Sequence, residues 1–414
     1  MPSIRKNIIW NACGNLVYLV VQWLLTYVVV LSLGFEKAGV FSLAMSVCGS
    51  LFCLAAYNMR HFQTSDVKDL FNSRTYLASR YVTTVLAVLV CLVFVLIMGY
   101  SALVGACVVA YMFFKASESL SDVYQGMLQR RMRLDLVGVS FLLKAFLILV
   151  VFGAFVFLTG DLLIPIIGMS VASFLVVYVF DRKKAEAVSG FGATQKASGA
   201  EIKKLLVACL PLAVFGFLFN TMGFAPRLFV EAQLGAEALG IYSSVAMPTL
   251  IIQVSASYIF APLVTPFAEY LEKGDMKSFG NLFKKTSLFL MALALVSLVG
   301  FFFLGDWLLV LLFGEKIIAH TYLMMPLVVC TILVAVSWFL SAVIVITRKL
   351  IALLIMSAIS FLIVICGSTF FIENAGMNGA SFVYILALSV FIIGCIVILA
   401  RELIMKGAIK AKDS

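Results

Sequence analysis

The sequence predicts an all-helical, polytopic membrane protein with about twelve transmembrane helices. Three observations carry this reading: the composition, the length of the apolar runs, and the placement of basic residues between them. Hydrophobic residues make up 64% of the 414 positions and charged residues 12%, with a mean hydropathy of +1.14. Soluble domains hold roughly 45–50% apolar and about 25% charged residues. A departure in both directions at once excludes soluble globular and disordered classes, because so few polar residues cannot cover a water-facing surface.

A membrane helix needs about 20 mainly apolar residues. Such runs fall at 8–33, 38–59, 76–98, 102–121, 134–158, 162–180, 205–230, 238–265, 286–305, 320–346, 350–372 and 378–400. The first follows Arg5 and Lys6, as a signal peptide would. It is too long for an h-region and no small-residue cleavage site follows, so it is expected to remain as span one. The run at 238–265 carries Pro248, Pro262 and Pro266, which imply kinks or an early end. The stretch 182–204 is rich in Gly, Ala, Ser and Lys and reads as a flexible basic linker. It separates a six-helix lobe at 1–181 from a second at 205–401, with a tail at 402–414.

Lysine and arginine give the orientation. The two termini and the loops after even-numbered spans hold 25 of the 30 basic residues. These are Arg5 and Lys6; Arg60, Lys68, Arg74 and Arg80; Arg130, Arg131 and Arg133; Arg182, Lys183, Lys184, Lys196, Lys203 and Lys204; Lys273, Lys277, Lys284 and Lys285; Arg348 and Lys349; and Arg401, Lys406, Lys410 and Lys412. The opposite loops hold Lys37 and Lys316, with Arg227 near a boundary. Both termini are therefore expected in the cytoplasm. The net charge of +10 becomes a topology signal facing anionic lipid, with no nucleic-acid partner implied.

The nine cysteines lie mostly inside apolar runs and form no CxxC pair, and His61 and His320 make no ligand pattern, so no metal or cofactor is expected. No P-loop, GxSxG or outer-loop carboxylate pair occurs, which argues against an enzyme.

The two halves repeat. Residues 33–42 read LGFEKAGVFS between spans one and two, and residues 234–243 read LGAEALGIYS between spans seven and eight. The shared pattern LGxExxG[VI][FY]S at equivalent turns points to duplication. An even number of spans per half makes the copies run in the same direction, as in parallel-repeat transporters.

Several residues do not belong in lipid. Asn11, Asn15, Tyr18, Gln22 and Thr26 share one face of span one, and Gly216, Asn220, Gly223, Arg227 and Glu231 share one face of span seven. Such faces turn inward, either lining a cavity or bonding helix to helix. An intramembrane Lys or Arg costs roughly 2.5–3.5 kcal/mol and needs a partner or a task. Lys144 lies about 15 Å into span five, at about 1.5 Å per residue, and its own helical neighbours offer no carboxylate. Lys115 has Glu118 at i+3, and Arg227 has Glu231 at i+4, as ready partners. Arg60, Lys115, Lys144 and Arg227 are expected to mark a cationic path for an anionic headgroup such as a pyrophosphate, with Lys144 a free central contact.

Residues 58–66 read NMRHFQTSD and residues 118–135 read ESLSDVYQGMLQRRMRLD. Their R-x-x-Q-x-S-D and E-x-x-x-D-x-x-x-G-x-x-Q stretches, with the six-plus-six spans and the repeated turn, resemble the Wzx-type polysaccharide flippases of the MOP superfamily. The resemblance implies a MATE-like fold and a bacterial cytoplasmic membrane location. It implies export of undecaprenyl-pyrophosphate-linked oligosaccharide, as O-antigen, capsule or exopolysaccharide units, to the outer leaflet by alternating access. A polysaccharide polymerase or assembly proteins are the partners it implies. Coupling to H⁺ or Na⁺ stays open, since span one carries no acid between Ile8 and Leu33.

Rival readings are a MATE-type multidrug exporter, whose intramembrane charges are usually acidic, and a major-facilitator transporter. The loop after span two does not fit the GxxxDRxGRR pattern of the second. A membrane polymerase or ligase needs a larger outer loop than any here.

Overall fold

The computed structural model describes residues 4–65, 70–191, 197–260, 263–347 and 349–410. All the regular elements among them are helical. In chain order they are α1 (Ile4–Ala56), α2 (Met59–Ser65), α3 (Ser73–Met98), α4 (Ala102–Arg130), α5 (Leu134–Thr159), α6 (Leu163–Val176), α7 (Arg182–Ser189) and α8 (Gly199–Ala246). There follow α9 (Leu250–Phe260), α10 (Val264–Glu272), α11 (Met276–Phe313), α12 (Met324–Ile346), α13 (Leu350–Ala375) and α14 (Met377–Lys410).

Ten of the described helices are long and apolar enough to cross a membrane, counting α6 and α7 as one. Two of these, α1 and α8, are bent at the glycine of the repeated turn. Gly34 has φ 83° and ψ 178°, and Gly235 has φ 88° and ψ 171°, a region that only a residue without Cβ enters freely. Thr26 Oγ1 lies 3.7 Å from the thioether Sδ of Met45. A straight helix would hold them about 28 Å apart at about 1.5 Å per residue, so the chain doubles back at Gly34. With both bends counted and α9 continuing the eighth, the helices carry the twelve apolar segments expected. The chain is an integral multi-pass membrane protein.

The proline-rich eighth span is broken, as its sequence implied. It ends α8 at Ala246, turns through Met247–Thr249 around Pro248, and resumes as α9. The linker expected at 182–204 differs from expectation. Span six passes through a five-residue π turn, Val177–Asp181, straight into α7, so the basic run Arg182–Lys184 is helical. Positions 192–196 within that linker, together with Asp66, Lys68, Pro262, Arg348 and Lys412, lie outside the described residues.

The chain forms two compact units, one of Met1–Phe224 with Ala236–Gly240 and one of Ala225–Gly235 with Ile241–Ser414. The sequence placed the division at the linker; the compact division falls after Phe224, within span seven. The start of α8 is held to the first unit by Asn58, whose Nδ2 donates to the Leu212 carbonyl at 2.6 Å.

In α3 the polar side chains turn inward. Its buried face holds Thr75, Ser79, Arg80, Thr83 and Thr84 beside Tyr76, Ala87 and Cys91, while Leu86, Leu89, Val93 and Leu96 are exposed. Lipid gives apolar side chains no reason to cluster inward, so close packing and hydrogen bonds hold the bundle. Helices α1 and α5 meet through two glycines. A Cβ on Gly14 would lie 2.2 Å from the Gly138 carbonyl oxygen, and one on Gly138 would lie 2.1 Å from the Trp10 carbonyl oxygen. Gly138→Leu is therefore expected to force α1 from α5 and destabilise the protein by about 1–3 kcal/mol. A lowered melting temperature in detergent checks this; an unchanged one refutes the contact.

The second unit is more uniformly apolar. Phe267 packs on Phe279 at 5.2 Å and Phe283 on Phe339 at 5.4 Å between ring centroids. Several of its buried hydroxyls bond to their own helix, as Ser357 does to Leu353 and Ser368 to Val364, which satisfies those polar atoms in an apolar bundle.

Candidate functional site

Helix α4 carries a polar stripe at Glu118, Asp122, Gln125 and Gln129, spaced four, three and four residues so that all share one face. Each member holds a partner from elsewhere in the first unit. Glu118 pairs with Lys115 at 2.5 Å and accepts the hydroxyl of Tyr18 from span one. Asp122 bridges two arginines, Arg60 at 3.0 Å and Arg80 at 2.8 Å. Gln125 and Gln129 both accept from Arg60. Arg80 is fully buried and also donates to the Ala55 and Ala56 carbonyls where α1 ends.

The two motif stretches interlock through this stripe. Gln63 lies over Gly126, where a Cβ would approach its Oε1 to 2.1 Å, and donates to the Val123 carbonyl at 3.2 Å. The R-x-x-Q stretch at 60–63 and the E-x-x-x-D-x-x-x-G-x-x-Q stretch at 118–129 thus form one contact surface. Tyr57 and Asn58, both at positive φ, break the chain between α1 and α2 so that Arg60 can turn back onto α4.

A second layer lies against the same helix. Lys144 of α5 pairs with Asp181 at 3.6 Å, their side chains 2% and 0% exposed. Ser121 donates to the same Asp181 oxygen, and Gln125 Nε2 links Ser121 at 3.1 Å to Ser140 at 3.3 Å. Asp181 sits at the end of the π turn, which is a common device for re-aiming a side chain at a functional position. Its other oxygen, Oδ1, is buried with no hydrogen-bond partner among the described residues.

These positions revise the expected cationic path. Lys144 is not a free ammonium; a buried carboxylate at the end of span six pairs with it. Lys115 takes its local partner Glu118 and lies over the rings of Phe52, Tyr111 and Phe114. Arg60 is paired, though its side chain stays 26% exposed. In span one, Asn11, Asn15 and Gln22 are half-buried, Tyr18 and Thr26 buried, and Leu16, Leu19 and Val20 exposed, so the polar stripe does turn inward. In span seven Asn220 is exposed and bonds back to Gly216 at 2.7 Å.

Arg227 and Glu231 belong to the second unit, both half-buried. The i+4 pair expected between them is not made, and Arg227 has no ion pair among the described residues. In the same unit Tyr242 and Ser381 share a hydrogen bond of 3.0 Å. Of the four basic residues expected to mark a path, Arg227 is the one left without a carboxylate.

Sequence reasoning missed Arg80 and Asp181. Arg80 was counted with the loop residues although it lies within the apolar run at 76–98. Asp181 was placed one residue beyond span six, and its partner sits on another helix.

Among solved structures, a MOP-superfamily transporter from Pyrococcus furiosus superposes with a TM-score of 0.67 at 15% identity, covering 98% of this chain and 96% of that one. The Vibrio cholerae MATE transporter VcmN, in its bent form, superposes with a TM-score of 0.66 at 14% identity, covering 98% of each chain. The chain has the MOP-superfamily fold. The capsular polysaccharide biosynthesis protein CapF of Staphylococcus aureus is 22% identical over 312 residues, 75% of this chain and 78% of that protein. No protein-family model matches the chain.

Proposed function

We propose that this MOP-fold chain is a transporter that moves an undecaprenyl-pyrophosphate-linked oligosaccharide from the cytoplasmic to the outer leaflet of a bacterial cytoplasmic membrane, by alternating access. The observation that carries this reading is a surplus of one positive charge in the ion-pair network on α4. In the first unit four cations, Arg80, Lys115, Lys144 and the partly exposed Arg60, meet three carboxylates, Glu118, Asp122 and Asp181. In the second, Arg227 and the half-buried Glu231 balance in number but do not pair, and Arg227 has no ion-pair partner among the described residues. A low-dielectric site with spare positive charge favours an anionic cargo and disfavours cationic drugs. The capsular polysaccharide biosynthesis protein CapF, similar over three quarters of the chain, supports the same substrate class. The bias of Lys and Arg to one set of loops gives the orientation in this reading, with those loops facing the cytoplasm.

Arg227 is the residue to test. A guanidinium on a pyrophosphate makes charge-assisted hydrogen bonds worth about 1.5–3 kcal/mol. Arg227→Gln is expected to lower export roughly tenfold to a hundredfold while protein amount and melting temperature stay at wild-type values. In a deletion strain, this variant should leave lipid-linked oligosaccharide on the cytoplasmic leaflet and surface polysaccharide absent. Wild-type export by Arg227→Gln removes it from the path.

The second reading is cation-coupled multidrug export, which the likeness to a MATE transporter favours. It requires that deletion sensitise the cell to cationic drugs and leave surface polysaccharide intact, the opposite pair of results.

A further inference from the structure

A cavity of about 620 Å³ opens in the first unit where span six gives way to α7. Its lining includes Arg74, Tyr178, Arg182, Lys183, Glu186 and Phe191, three cations against one carboxylate. That volume lies within the range of small-ligand pockets, about 300–1,000 Å³. None of these side chains takes part in the charge network on α4.

The walls are built, not incidental. Gly190 ends α7 at φ 62°, its N–H donating to the Glu186 carbonyl at 2.7 Å. The reversal carries Phe191 back into the core, 6% exposed and 5.8 Å from Tyr124. The Phe191 carbonyl then accepts from Arg74 Nε at 3.1 Å, which fixes how that guanidinium is presented. Tyr178 stacks on Phe174 at 6.3 Å with ring planes 13° apart. Within the basic run, Lys184 is turned elsewhere, its ammonium 6.0 Å over the Phe180 ring, while Arg182 and Lys183 line the cavity.

The depth of the cavity is given by its own helix. Val171, Leu175 and Val179 are exposed apolar residues on α6 and the π turn; three residues later the chain is Arg182-Lys183-Lys184. A switch from lipid-facing apolar side chains to a basic run, with a half-exposed tyrosine at the junction, marks the headgroup level of a bilayer. Arginine forks match phosphate oxygens bidentately and lysine adds a point charge, and basic pockets between helices at this level hold anionic headgroups.

We propose that this cavity binds a phosphate group, that of an anionic phospholipid whose chains lie along Val171, Leu175 and Val179. The site shares no residue with the transport path and does not depend on what the transporter carries. The same chemistry would also admit free phosphate from solution, and the test separates the two sources.

The full chain, purified in a non-ionic detergent, is titrated with dihexanoyl phosphatidic acid and with dihexanoylglycerol as the phosphate-free counterpart. The acid should bind and the glyceride should not. Exchanging two exposed cations, in the variant Arg182→Gln/Lys183→Gln, should weaken the acid about tenfold to thirtyfold, with an unchanged melting temperature. Lys184→Gln should bind like wild type. Displacement of the acid by inorganic phosphate supports the site and admits the soluble source; failure to displace supports it as a lipid headgroup site. Equal binding of the glyceride, wild-type affinity in the double variant, or an equal loss in Lys184→Gln overturns the proposal.

Discussion

Asp122→Asn is expected to destabilise the protein by about 3–5 kcal/mol, the cost of leaving a buried charge without its partner. Asp122 is the acceptor shared by Arg60 and Arg80. Arg60 is partly exposed and keeps Gln125 and Gln129 as acceptors. Arg80 is fully buried, and its remaining acceptors are the two carbonyls at the end of α1, which carry no formal charge. The cost falls on Arg80. The measurement is the melting temperature of the detergent-purified variant, together with the yield of monodisperse protein. Removing both charges, as Asp122→Asn/Arg80→Met, should recover much of the loss, because no uncompensated ion then remains. A single variant that melts with the wild type would show that Arg80 does not need Asp122.

The second large effect is expected at Lys144 and Asp181. Lys144→Ala leaves Asp181 as a buried carboxylate with a serine hydroxyl for company, and Asp181→Asn leaves a buried ammonium. Each single variant should lose about 3–5 kcal/mol, whereas Lys144→Met/Asp181→Asn should come close to wild-type stability. Transport then separates two roles for the pair. Export restored in the double variant assigns the pair to structure, as its burial indicates. A double variant that melts like wild type but exports nothing assigns it to the transport cycle, where the unpartnered Oδ1 of Asp181 offers a place for a proton.

The interlocking of the two motif stretches gives their residue types a physical reason. Glycine at 126 leaves room for the Gln63 side chain, and arginine at 60 reaches three acceptors on one face of α4. The spacing of Glu118, Asp122 and Gln129 was visible as the E-x-x-x-D-x-x-x-G-x-x-Q stretch. That the stripe faces Arg60, Arg80 and Tyr18 was not, because those residues come from three other stretches of chain.

The apolar architecture and the turn glycines are legible along the chain. A bilayer imposes a one-dimensional rule, about 20 apolar residues per crossing with polar breaks between, and that rule can be read along the chain. The reversal at Gly34 and the matching backbone at Gly235 follow from a local steric fact, and the broken eighth span from a local proline. Which charges are spent on one another depends on how the helices fold together. Lys144 finds its carboxylate on span six, Arg80 on span four, and Tyr18 of span one meets Glu118 of span four. Coulomb energy depends on distance in space and on burial, and neither is a property of neighbouring letters, so the same basic residues could be read as a conduit until their partners were in view.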